Sequence, residues 1–259
     1  MLASMRGPDF DRFVLGGIAG QEAARLNAAF QAEGIFLEGV RARLEGGGAE
    51  RVVPFCEQAV SRAPWDRGLR DEVLSYLYNA VSRYFSGGNA AEAVDLMRRA
   101  ADVYPEYSEI HYRYGLLLWE LNKPVHAVGE IQQALALNPD FVPGRRALAY
   151  MYQSLGKTGE AGEQWKDALV LDRDDLPTLE GYGTFLLKQP AGTEEALGYL
   201  RKAYERDPDE PGVIDGYARA MYLSGSIPEA RRIVRKGGDY YKSDPYFGKC
   251  RAAILGTHS

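Results

Sequence analysis

Residues 92–105, EAVDLMRRAADVYP, and residues 126–139, HAVGEIQQALALNP, decide how this chain folds. The first places Ala93, Ala100 and Pro105 at intervals of seven and five, and the second repeats those intervals with Ala127, Ala134 and Pro139. The two segments are 34 residues apart. A fixed period of that length is the mark of a repeat architecture, in which each unit buries its apolar face against its neighbours.

Working outward, a further step of 34 reaches EAGEQWKDALVLDR, with Ala161 and Ala168 in register and Arg173 in place of the proline. A step of 35 then gives EALGYLRKAYERDP, with Ala196, Ala203 and Pro208, so one residue is inserted near Gln189–Gly192. The fifth copy, EARRIVRKGGDYYK, keeps Ala230 but has Gly237 where the second alanine belongs. Upstream, Val52, Ala59 and Pro64 fit poorly, and Pro64 lies 41 residues before Pro105. The seven extra residues correspond to two helical turns and lengthen a helix with little loss of phase.

Each copy reads as two helices. SEIHYRYGLLLWEL, beginning at Ser108, is followed by Asn122–Pro124 and a second apolar stripe at helical spacing. Breaks recur at Gly87–Gly88, Gly156, Gly192 and Gly225, where glycine is expected to supply a left-handed backbone. Gly115, Ala149, Gly183 and Ala218 lie in first helices and allow close approach, while Met97, Ile131, Trp165 and Leu200 fill the space beside them.

Together these registers resemble the tetratricopeptide repeat family, strongly over residues 74–244 and weakly over 33–66. The resemblance implies an all-α fold: a right-handed α-solenoid, or superhelix, of stacked antiparallel helix pairs. Departures are Arg173, Gly237 and the fourth position of the first helices, where the family often has Trp and this chain has Leu77, His111, Arg145, Leu179 and Ile214. The expected organisation is an N-terminal helical cap or remnant over 1–32, a degenerate repeat over 33–66, five repeats over 67–244, and a capping helix and tail over 245–259. RLNAAFQAEGIFLEGV, residues 25–40, also resembles the tail of bacterial aminopropyltransferase-like proteins, some of which end in tetratricopeptide arrays, although their Asn-Thr-Asp and following Pro are missing. That resemblance implies an alternative, a non-catalytic repeat module belonging to, or detached from, a larger enzyme.

Composition narrows the function. Among 259 residues, 46% are hydrophobic and 26% charged, and the net charge of −5 disfavours nucleic acid, which is bound through phosphate-neutralising Lys and Arg. No apolar run approaches the length of a membrane span or a secretory signal, so the expectation is a cytoplasmic chain with no membrane insertion. Cys56 and Cys250 form no disulfide framework, and His111, His126 and His258 are too scattered for a metal site. Leu15–Gly20 lacks the order of a phosphate loop, and no nucleophile motif occurs. Neither catalysis nor a cofactor is expected.

In a stacked array the first helices line a groove, and function is expected there. The register places Tyr78; Tyr112, Arg113, Leu116 and Trp119; Arg146, Tyr150 and Gln153; Glu180 and Thr184; and Asp215, Arg219 and Tyr222 on that face, with Ser82, Phe85 and Leu187 beside them. Tyr, Trp and Arg dominate binding hot spots because they combine contact area with hydrogen-bonding groups. The competing reading is that individual rings, Phe85 and Trp119 above all, pack between repeats. Family members that bind acidic C-terminal tails use a Lys and Asn pair with further Asn, Lys and Arg; here those places hold Tyr112 with Leu116, Arg146 with Tyr150, and Gly181, so that clamp is absent. The expected partner is a protein or peptide. A charge step also exists, with eleven acids against five bases over 172–215 and eight bases against three acids over 219–251, which leaves self-association open.

Overall fold

The computed structural model describes residues 20–44, 51–238 and 254–256, and the described residues form twelve helices and no strand. The chain divides into two compact units, residues 1–123 and 124–259. The all-α solenoid class read from the sequence is the class observed.

Unit 1 holds α1 (Gly20–Leu44), α2 (Val53–Arg62), α3 (Arg67–Ser86), α4 (Ala90–Val103) and α5 (Ser108–Glu120). α1 runs unbroken through residue 32, where the sequence suggested a boundary, and packs along α2. Gly39 makes that approach feasible, since a Cβ there would lie 2.6 Å from the Cβ of Phe55. α3 has 20 residues against 13 in α5, a difference of two turns, which is where the longer spacing before Pro105 is absorbed. The unit's core joins Phe36, Val52, Cys56, Ala59, Val73, Leu77, Met97, Tyr104 and Ile110.

Unit 2 holds α6 (Pro124–Leu137), α7 (Val142–Ser154), α8 (Thr158–Leu171), α9 (Leu176–Leu186), α10 (Thr193–Arg206), α11 (Pro211–Leu223) and α12 (Ile227–Gly238). Each first helix, α7, α9 or α11, packs on the second helix that follows it, and α9 also touches both α7 and α11. The repeated alanines Ala127, Ala134, Ala161, Ala168, Ala196, Ala203 and Ala230 are all fully buried. A Cβ on Gly183 would fall 2.5 Å from Leu200 Cγ, and one on Gly181 would fall 2.3 Å from Trp165 Cη2. Trp165 is fully buried. Removing roughly 200 Å² of indole from water stabilises the unit by about 5 kcal/mol at most.

The turns show why the period holds. Gly88, Gly156 and Gly225 have positive φ of 82°, 74° and 86°, and Asn122 takes the same place with φ 56°. Asn is the non-glycine residue that tolerates this region best. The fourth break departs from expectation: Ala191 is left-handed with φ 59°, whereas Gly192 has φ −78°. Gly192 is needed for a different reason, because a Cβ there would lie 2.1 Å from the carbonyl oxygen of Leu186. The α9–α10 connection, 187–192, is also three residues longer than 87–89, 121–123, 155–157 or 224–226, which locates the inserted residue.

The expected closing helix over 245–256 and the Gly-rich segment 15–20 fall almost wholly outside the described residues. Of the former, Ile254 is buried, and its carbonyl accepts a hydrogen bond of 3.1 Å from Arg231 Nε.

Candidate functional site

The first helices present three columns of side chains, four residues and then three apart, as helical spacing requires. The columns begin at Tyr78, Ser82 and Phe85 on α3, and recur at Tyr112, Leu116 and Trp119 on α5. In unit 2 they recur as Arg146, Tyr150 and Gln153 on α7; Glu180, Thr184 and Leu187 on or just after α9; and Asp215, Arg219 and Tyr222 on α11.

In unit 1 the aromatic and cationic groups engage one another. The Arg113 guanidinium sits 4.5 Å from the Tyr78 ring centroid while its Nε donates to Glu109 at 2.7 Å. Arg70 stacks over Tyr107 at 5.2 Å and Tyr104 at 5.9 Å and pairs with Glu106 at 3.1 Å. Burial holds the Tyr78 phenol well above its ordinary range, and its hydroxyl has no hydrogen-bond partner among the described residues. Tyr78 and Phe85 both pack against the core. Tyr112, Leu116 and Trp119 are half-buried along α5.

Unit 2 brings its columns together differently. Arg146 pairs with Asp175, whose carboxylate also caps α9 by accepting from Thr178 N at 3.0 Å. Burial pushes the Asp175 carboxyl up, but the Thr178 hydroxyl and Arg146 outweigh it and hold the group below the usual carboxylate range. Tyr150 stands 46% exposed, its ring edge-on to Trp165 at 4.7 Å, with its hydroxyl over the bare Cα of Gly181. Burial, and then the neighbouring Glu180 carboxylate, raise the Tyr150 phenol. Glu180 lies against Gly212, where an added Cβ would come 2.1 Å from its Oε1. Its carboxyl is raised by burial first and by Glu210 and Asp215 next. Asp215 is buried, and its Oδ2 accepts from Arg219 at 3.3 Å. Thr184 turns inward, donating to Gly181 O at 3.0 Å, and Gln153 is half-buried, whereas Tyr222 stands 38% exposed.

Two participants were not assigned to this face from the sequence, Asp175 and Glu210. Each occupies the N-cap position of a first helix, directly before Leu-Pro or Pro-Gly, and that capping signal is how they could have been found.

Other features lie elsewhere. A cleft in unit 1 is lined by Val53, Tyr84, Glu92, Asp95, Leu96 and Arg99, away from the three columns, and Arg99 is tied there to Glu57 at 2.6 Å. His111 is buried with Nε2 3.2 Å from Pro105 O, a packing role. Cys56 is a buried free thiol pushed up to about 12 by desolvation. Among the described residues no acidic, His or Cys group could hold a metal ion, and no helix is long and apolar enough to cross a membrane.

Comparison with known proteins gives a consistent picture. Two tetratricopeptide repeat models match residues 78–142 and 193–254. The fold is similar to TTC0263, a thermophilic TPR protein of Thermus thermophilus, with TM-score 0.56 and 20% identity over 70% of this chain and 98% of that one. It is similar to YrrB, described as a TPR protein with an unusual peptide-binding site, with TM-score 0.54 and 14% identity over 76% of this chain and 97% of that one. Yeast Tom70 gives TM-score 0.62 and 17% identity over 90% of this chain and 54% of its own. No curated protein matches the sequence significantly.

Proposed function

This chain belongs to the tetratricopeptide repeat family, and from that premise we propose that it is an adaptor or scaffold whose first-helix faces hold an extended peptide or a helix of a partner protein. Tetratricopeptide repeats are protein–protein interaction modules and are generally non-catalytic. The single observation that carries the finer reading is the face of α7, α9 and α11, in which α9 touches both of the others and Tyr150 and Tyr222 stand exposed beside charged groups. Aromatic anchors amid polar groups are what a partner uses.

A variant carrying Tyr112→Ala, Trp119→Ala and Tyr150→Ala is expected to lose partner capture while its helical circular-dichroism signal persists. These rings are half-buried or exposed, so truncation removes contact area without emptying a core. Capture that survives all three substitutions would refute the groove reading.

A further inference from the structure

The face of α7, α9 and α11 carries four carboxylates, and only two of them are answered by arginine among the described residues. Asp175 is paired with Arg146 and Asp215 with Arg219. Glu180 and Glu210 make no ion pair or side-chain hydrogen bond among the described residues. Glu210 lies close enough to raise the cost of ionising Glu180, which is half-buried against the glycine backbone at the first turn of α11. An ionised carboxylate held out of water is costly unless a cation answers it.

Beside Glu180 stands the Tyr150 ring, exposed on one side and fixed on the other by Trp165. A partner cation arriving here meets an aromatic face and two carboxylates together. An aromatic face attracts a cation within about 6 Å, and more strongly once water is excluded. Gly181 and Gly212 leave the backbone bare at this point, and Tyr150 and Glu180 occupy the space that a Cβ would take. Thr184 is uncharged, and its hydroxyl donates to Gly181 O.

We propose that this face selects a basic peptide, seating an Arg or Lys side chain between Glu180 and Glu210 with its aliphatic stem or neighbouring residue against Tyr150. The proposal rests on the groove reading above and names the chemistry of its partner. Charge complementarity carries it: Arg146 and Arg219 are already neutralised in place, so an acidic or phosphorylated segment would meet the surplus carboxylates of Glu180 and Glu210. Tyr222, exposed on α11, offers a second apolar contact for the same segment.

Selection of random peptides displayed on phage against the intact protein tests this, with isolated binders then measured by fluorescence anisotropy. The enriched peptides are expected to carry Lys or Arg beside an apolar or aromatic residue. Their affinity is expected to fall about tenfold for each of Glu180→Gln and Glu210→Gln, the size of a charge-assisted hydrogen bond. It should also weaken as salt rises. Tyr150→Ala is expected to weaken basic and neutral binders alike. If the enriched peptides are neutral or acidic, lose affinity in Tyr150→Ala and keep it in both Gln variants, the basic-partner inference fails while the groove reading stands. If nothing is enriched, or if binders are indifferent to Tyr150→Ala and to both Gln substitutions, the two fail together.

Discussion

The two units use the same register for different chemistry. The first column of the first helices reads Tyr78 and Tyr112 in unit 1, and Arg146, Glu180 and Asp215 in unit 2. In unit 1 the cations on this face are engaged both by its own rings and by carboxylates, Arg113 by Tyr78 and Glu109, and Arg70 by Tyr104, Tyr107 and Glu106. In unit 2 the cations are engaged by carboxylates, and two further carboxylates are left over beside an exposed ring. A tyrosine-and-arginine-rich face is therefore not by itself a binding face. What matters is whether those groups have already satisfied one another.

The comparison extends into the interior, where Met97 in unit 1 and Trp165 in unit 2 occupy one register position. Both are buried, and the indole packs at right angles against the exposed Tyr150 ring. Trp165→Ala is expected to cost about 3–5 kcal/mol and Met97→Ala about 2–5 kcal/mol, from lost burial plus the cavity left behind. Hydrogen exchange read by mass spectrometry should show the protection lost mainly in helices α7–α10 for the first and α2–α4 for the second. Only the first should also weaken peptides that bind through Tyr150. Equal effects on binding would mean that the indole does not fix the surface ring.

Close packing gives the next effect. Gly183→Ala drives a Cβ to 2.5 Å from Leu200 Cγ, and overpacking of this kind costs about 1–3 kcal/mol. Ala161→Leu is expected to cost a similar amount, because Ala161 is fully buried in the same interface type. Urea denaturation followed by circular dichroism measures both. Unchanged midpoints would show that the repeat register has been misassigned.

This packing was also the most legible part of the sequence. Ala127, Ala161, Ala196 and Ala230 announce themselves because only a small side chain lets two helices touch, and the period exposes them again and again. The fourth turn was not legible. A glycine at position 192 suggested a left-handed backbone, but the inserted residue shifts that role to Ala191 and gives Gly192 a steric one. The binding face was legible as a set of columns and no further. Whether Arg113 faces a partner or Tyr78, and whether Glu180 has a counter-ion, depends on contacts between residues of neighbouring repeats, which a period places in register without specifying.

Asp175 tests how unit 2 holds its arginine. It caps α9 and neutralises Arg146, so Asp175→Ala is expected to cost about 1–2 kcal/mol at neutral pH. Its folded-state carboxyl lies below the ordinary carboxylate range, so this stabilisation is present above the unfolded-state value and disappears as pH falls through the lower folded-state one. The difference between wild type and variant in urea should accordingly narrow in acid. A gap that stays constant with pH would assign the cost to the cap alone.

Glu180 should behave in the opposite sense, and with the smallest effect. Its carboxyl is raised by burial, Glu210 and Asp215, so the ionised form is disfavoured in the folded chain. A raised acid gives up stability as pH climbs through its titration and regains it as pH falls. Glu180→Gln should therefore stabilise the free protein by roughly 0.2–0.5 kcal/mol for each like-charge contact relieved, while weakening any basic peptide. A residue whose removal improves the fold and impairs binding is kept for the partner. The same substitution in unit 1 chemistry has no counterpart, because Tyr78 and Tyr112 occupy that column. Thermal melts of wild type and Glu180→Gln at neutral pH decide it. A lower midpoint in the variant would mean that Glu180 is answered within the fold and has no cation to wait for.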